Sequence, residues 1–124
     1  MPLLDRLGVG VDVQEVDAFR DHERPGDARL YERVFSAAER EYCLSQASPA
    51  QHFAARFAAK EAVVKAVSRF LELAMEEVEV VREPSGRPTV RLARGGDVLR
   101  VELSLSHSDG QAVAMAVAEH LEAR

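Results

Sequence analysis

The sequence predicts an α+β fold: one strand, then helices, then a run of antiparallel strands. Three observations carry this. A valine-rich alternation, "LGVGVDVQ", occupies residues 7–14. A long alanine-rich stretch with helical spacing runs from about residue 50 to 70. After Leu71 the chain changes to alternating β-branched segments cut by turn signals. Strands and helices do not alternate, so a parallel βαβ sheet is not expected.

The elements follow in order. Residues 7–14 form the first strand, with Gly8 and Gly10 leaving room for another backbone to come close. "EVDAFRDH" has helical spacing, and "ERPGD" at 23–27 breaks it. "DARLYERVF" is a short helix. "SAAEREYCL" opens a second helix with Ser36 and Glu39 spaced as a capping box, in which each side chain bonds the other's backbone N–H. Pro49 starts the long helix, which runs from about Ala50 to Phe70. Four segments then read as one antiparallel meander: "EEVEVVRE", "TVRLAR", "VLRVELSLSHS" and "QAVAMAVAEH". Their turns are "PSGRP", "GGD" and "DG", with "GGD" the strongest hairpin signal. No repeat or second domain interrupts residues 1–124.

Composition narrows the function classes. Of the 124 residues, 47% are hydrophobic and 30% charged, with a formal net charge of −5, so the chain is a globular domain and not a typical nucleic-acid binder. Its single cysteine, Cys43, excludes disulfide and zinc frameworks and reads as a small apolar helix residue. "MPLLDRLGVGVD" lacks the basic flank and apolar core of a signal peptide, and no stretch approaches the ~20 apolar residues of a membrane span. The expected compartment is the cytoplasm.

The long helix carries the chemistry. At about 100° per residue, Ala55, Ala59, Ala62 and Ala66 share one side, which invites close packing. Phe53, Phe57 and Val64 form a second apolar cluster. Arg56 and Lys60 lie one turn apart, as do Glu61 and Lys65 on a neighbouring flank. Taken alone, Glu61–Lys65 is an ordinary surface pair worth a few tenths of a kcal/mol. The same set also suits a polyanion bridged by Mg²⁺, which takes one or two carboxylates and completes its shell with phosphate oxygens and water. Asp12, which interrupts an apolar strand, is the second acid; on its own it reads equally as an edge-strand residue or a helix cap. His107, between serines at a strand end, is either a bonded turn residue or a phosphate donor.

Four motifs together resemble the 4′-phosphopantetheinyl transferases of the short holo-acyl-carrier-protein synthase type. They are Gly10-Val11-Asp12, Phe57-Ala58-Ala59-Lys60-Glu61-Ala62-Val63-Val64-Lys65, Gly86-Arg87-Pro88 and Ser104-Leu105-Ser106-His107. The resemblance implies that family's fold, a long helix packed on an antiparallel sheet, in a single unit that assembles as a homotrimer. It implies transfer of 4′-phosphopantetheine from coenzyme A to a carrier-protein serine, with Mg²⁺ (or Mn²⁺) held by Asp12 and Glu61. Glu61 is the implied base, and Lys65 steadies the pyrophosphate. Arg56, Lys60, Gly86, Arg87, Pro88, Ser106 and His107 are implied to line the CoA site. In the trimer, the apolar strand "QAVAMAVA" is the candidate for burial between subunits.

Three departures stand out. The segment "QEVDAFRDHER" carries Asp17 and Ala18 where the family usually has basic residues that grip an acidic carrier, so the chain either favours a less acidic partner or docks through Arg20, Arg24 and Arg29. "AVSRFLELAMEE" lacks the family's glycine-rich loop, and Arg87 replaces the usual lysine. These changes favour a specialised member serving a polyketide or peptidyl carrier. A degenerate member that binds CoA or a carrier without catalysis is the alternative.

Overall fold

A computed structural model describes residues 2–20 and 25–121. Strand β1 (Leu7–Glu15) is followed by a 3₁₀ turn (Val16–Phe19) and helices α1 (Pro25–Val34), α2 (Ala37–Leu44) and α3 (Pro49–Val67). Strands β2 (Val78–Arg82), β3 (Pro88–Leu92), β4 (Leu99–His107) and β5 (Gln111–His120) complete the chain.

The predicted order holds, but the meander divides. β1, β5 and β4 form one antiparallel sheet in that order, while β2 and β3 form a separate two-stranded ribbon. The "GGD" segment is therefore not a tight hairpin turn but the passage between the two sheets. Gly95 supplies it with a φ of +80°, which favours glycine. At residues 25–26 the expected break is instead the start of α1, with proline at the first helical position. The capping box forms as expected: Ser36 N–H donates to Glu39 Oε1 at 2.8 Å and Glu39 N–H to Ser36 Oγ at 3.1 Å.

Helix α3 lies across the three-stranded sheet, and small residues let it sit close. Ala58, Ala59, Ala62 and Ala66 are fully buried, as are Ala112, Ala114, Ala116 and Ala118 of β5. β1 comes nearer still. A Cβ built on Gly8 would lie 1.8 Å from the carbonyl oxygen of Ala66, and one on Gly10 would lie 2.0 Å from that of Ala62. Strand and helix backbones touch there, so only glycine fits. A second core gathers Phe19, Tyr31, Phe35 and Phe53, with Phe57 packed against it. Val64 packs on the other, helix–sheet core, so it does not join Phe53 and Phe57.

The strands' two-residue period leaves an apolar outer face on the larger sheet. Val9 pairs with Val117, Val11 with Met115 and Val13 with Val113. Val9 is 70% exposed, Val11 57%, Val13 52% and Met115 53%. No helix of the described chain is long and apolar enough to cross a membrane.

Candidate active site

Two groups of chemically useful side chains flank α3. The first joins β1 to the helix. Asp12 follows the two glycines on the inward side of β1, and Lys65 Nζ donates to its Oδ1 at 3.2 Å and to the Val11 carbonyl at 3.1 Å. Gln14 Nε2 donates to the other carboxylate oxygen at 2.7 Å. Glu61, one turn before Lys65, is partly exposed. Asp12, held by Lys65, and Glu61 on the same helix as that lysine are hard carboxylates of the kind that suit an ion such as Mg²⁺, which needs few protein ligands. Among the described residues no three acids, imidazoles or thiols gather into a closed metal cage.

The second group lines a cavity of about 210 Å³ between α3, β2 and β4. Tyr42 comes from α2, and His52, Ala55 and Arg56 from α3. Val80 and Arg82 come from β2, Gly86 from the turn after it, Pro88 from the start of β3, and Leu105 and His107 from β4. Tyr42 is held between two cations. Its ring centroid is 4.2 Å from the Arg56 guanidinium carbon and 5.2 Å from that of Arg82, whose Nη1 donates to the Tyr42 hydroxyl at 2.5 Å. The His52 ring meets Tyr42 at 5.6 Å and His107 at 5.3 Å, edge to face in both cases. Partial burial holds the His52 imidazole below its ordinary range, and His107, Arg56 and Arg82 push it the same way. With two arginines, two histidines and no carboxylate in its lining, this cavity favours an anion.

Lys60, expected on a phosphate, is turned inward. It is 1% exposed, and its Nζ donates to Glu39 Oε1 at 2.9 Å and to the Val78 carbonyl. Glu39 Oε2 accepts from Val80 N–H at 2.8 Å, while Arg56 Nη1 donates to the Val80 carbonyl at 2.7 Å. One strand residue is thus gripped on both sides, which fastens β2 to α2 and α3. A sequence cannot show this, because Glu39 and Lys60 meet only in the folded chain.

Two further expectations change for geometric reasons. Arg87 does not line the cavity that its neighbours Gly86 and Pro88 border; its guanidinium pairs with Glu102 of β4. Ser106 alternates with Leu105 and His107, so it stands on the opposite face, opposite Val113. His107 does reach the cavity, as do Arg56, Gly86 and Pro88. Arg20 is exposed and paired with Asp17 at 2.6 Å; Arg24 lies outside the described residues. Sequence reasoning missed Tyr42, His52 and Arg82. For His52 the signal was its place one helical turn before Arg56.

An anion cavity and a carboxylate–lysine group on one helix are the equipment of a protein that handles phosphate esters. Residues 8–118 match the sequence model of the 4′-phosphopantetheinyl transferase superfamily, and the chain belongs to that superfamily. It is 40% identical over 121 residues to a holo-[acyl-carrier-protein] synthase of Geobacter sp. strain M21, covering 90% of this chain and 97% of that one. A synthase of the same name from Koribacter versatilis is also 40% identical, over 91% of this chain and 98% of its own. Among solved structures, the ACPS–CoA complex of Chronobacterium ammoniagenes superposes with a TM-score of 0.75 at 29% identity, covering 94% of this chain and 98% of that one. The acyl carrier protein synthase of Mycobacterium tuberculosis gives 0.68 at 34% identity, covering 91% and 96%.

Proposed function

We propose that this protein transfers the 4′-phosphopantetheine arm of coenzyme A to a serine hydroxyl of an acyl carrier protein and releases adenosine 3′,5′-bisphosphate. The observation that carries the reading is the near full-length match to holo-[acyl-carrier-protein] synthases, one of them 40% identical over 121 residues, by a chain in which Lys65 of α3 donates to Asp12 of β1 and Glu61 lies one helical turn before that lysine.

The serine oxygen forms a bond to the pantetheine-bearing phosphorus, and the bond from that phosphorus to the bridging pyrophosphate oxygen breaks. Glu61 accepts the hydroxyl proton, directly or through a water. Lys65 lies along the pyrophosphate and offsets the negative charge that grows on the leaving nucleotide. Asp12 and Glu61 would hold Mg²⁺, or Mn²⁺ in its place, and the bound ion would supply charge neutralisation at the pyrophosphate. Arg56 and His107 face the nucleotide's phosphates, with the Gly86–Pro88 turn at the cavity border.

The two groups face different ways. On α3, Arg56 and Lys60 point about 140° from Glu61 and Lys65. A homotrimer resolves this, with the carboxylates of one subunit completing the cavity of the next. The outer sheet face of Val9, Val11, Val13, Val113 and Met115 is the surface that would be buried. At the docking side, Asp17 neutralises Arg20, which suits a less acidic carrier, such as one of polyketide or peptidyl type. Both substrates place the reaction in the cytoplasm.

The test incubates the protein with CoA, Mg²⁺ and apo carriers of fatty-acid, polyketide and peptidyl type, followed by mass spectrometry. Transfer adds about 340 Da, the covalent composition of phosphopantetheine, to the carrier. Glu61→Gln lowers the rate by at least about a hundredfold. CoA that binds with no mass gain on any carrier would instead mark a non-catalytic binding member.

A further inference from the structure

Of the two imidazoles that line the cavity, His52 is the one that neither the motifs nor the proposed chemistry uses. It sits on α3 one turn before Arg56 and looks across the cavity at His107 of β4, ring centroids 5.3 Å apart and planes at 64°. Every neighbouring element presents a neutral or cationic group to it: Tyr42 from α2, Arg56 from α3, Arg82 from β2 and His107 from β4. The nearby acid in the β4–β5 turn, Asp109, accepts from Gln51 Nε2 at 2.8 Å. Two imidazolium rings this close, beside two guanidinium groups, repel one another in the empty cavity. An anion between them reverses the balance, because each added positive charge then gains an opposite partner.

We infer that His52 is an anion-binding residue of this cavity, and that a phosphate or sulfate dianion entering between His52, His107, Arg56 and Arg82 draws a proton from solvent onto His52. Binding and protonation are then linked: the anion raises the proton affinity of the ring, and the proton raises the affinity for the anion by the same factor. The inference deepens the reading of the cavity as the phosphate-holding part of a CoA site. Its experiment therefore includes an anion that does not depend on that reading.

The imidazole C–H resonances of His52 and His107 are assigned with His52→Gln and His107→Gln. They are then followed by NMR from about pH 5 to 8, near the ordinary histidine midpoint of about 6.5. Three samples are compared: the free protein, the protein with inorganic sulfate, which stays a dianion throughout, and the protein with adenosine 3′,5′-bisphosphate. In the free protein His52 titrates below the ordinary value. Either anion raises its midpoint by about one unit or more, equivalent to at least tenfold tighter binding to the protonated cavity. The rise persists at His52 in the His107→Gln chain. A His52 midpoint unmoved by both anions overturns the inference, and so does a rise that vanishes in His107→Gln. Sulfate that moves His52 while the bisphosphate fails to bind leaves the inference standing and removes the CoA reading. Bisphosphate that binds without moving His52 does the reverse.

Discussion

Replacing Lys60 by methionine keeps the length of the side chain and removes its charge. Glu39 would then be a buried carboxylate without its cation, and the Val78 carbonyl would lose a donor. Breaking one partner of a buried ion pair costs about 3–5 kcal/mol. Glu39 still accepts from Ser36 N–H and Val80 N–H, each at 2.8 Å, which holds the carboxylate term near about 3 kcal/mol. The orphaned carbonyl adds about 1 kcal/mol, for a total near 4 kcal/mol. With a urea slope of about 2 kcal/mol per molar, the unfolding midpoint falls by about 2 M. The comparison is made at one protein concentration, since association would shift the midpoint. Glu39→Gln added to Lys60→Met recovers about half of the loss, because the amide oxygen keeps one N–H partner and carries no charge. A Lys60→Met chain that unfolds within about 0.5 kcal/mol of the native one, yet binds CoA tenfold more weakly, would refute this reasoning. It would return Lys60 to the phosphate.

Three other outcomes follow from the same geometry. Gly10→Ala puts a methyl group 2.0 Å from the Ala62 carbonyl oxygen and destabilises by at least about 1–3 kcal/mol, whereas Gly96→Ala meets nothing within 4 Å and changes stability by less than about 0.5 kcal/mol; chemical denaturation separates them. Burial pushes the Cys43 thiol up to about 12, so iodoacetamide near pH 8 labels it only after unfolding, and stability falls as pH climbs from the unfolded thiol's pKa of about 9 toward that value; rapid labelling of native protein would contradict this. If the proposed homotrimer buries the outer sheet face, Met115→Arg, which sets a charge in its middle, lowers the mass seen by light scattering to that of one chain; a native chain that is already monomeric, or a variant of unchanged oligomeric mass, would contradict that burial.

Much of this fold was legible because its signals are local. The Ser36–Glu39 capping box, Pro49 at the start of α3 and the alternation in β1, β4 and β5 each depend on residues near in sequence. Strand partnership was legible only in part: β2 pairs with β3 and β4 with β5 as in a meander, but β3 and β4 do not pair. "GGD" has hairpin chemistry, but the ladder after it runs from β4 to β5, and β3 stays with β2. The site divides along the same line. Asp12, Arg56 and His107 stood out as polar residues in apolar or turn settings, and the fold brings Asp12 onto Lys65 and Arg56 beside His107. Lys60 carried the same signal and has a different role, because only the packing of α2 shows that Glu39 reaches it first. Ser106 and His107 are neighbours in sequence and on opposite faces of a strand, a separation that their motif hides.

The contact of β1 with α3 works like a gauge block. Most helix–sheet spacings are set by side-chain volumes and drift when those side chains are exchanged. Here bare backbone at Gly8 and Gly10 rests against the carbonyls of Ala66 and Ala62, so the spacing is fixed by peptide dimensions alone. Asp12 is the next inward position, and its offset from the helix that carries Glu61 and Lys65 inherits that tolerance. Exchanges among the surrounding valines and leucines therefore alter stability first and the setting of these three groups last.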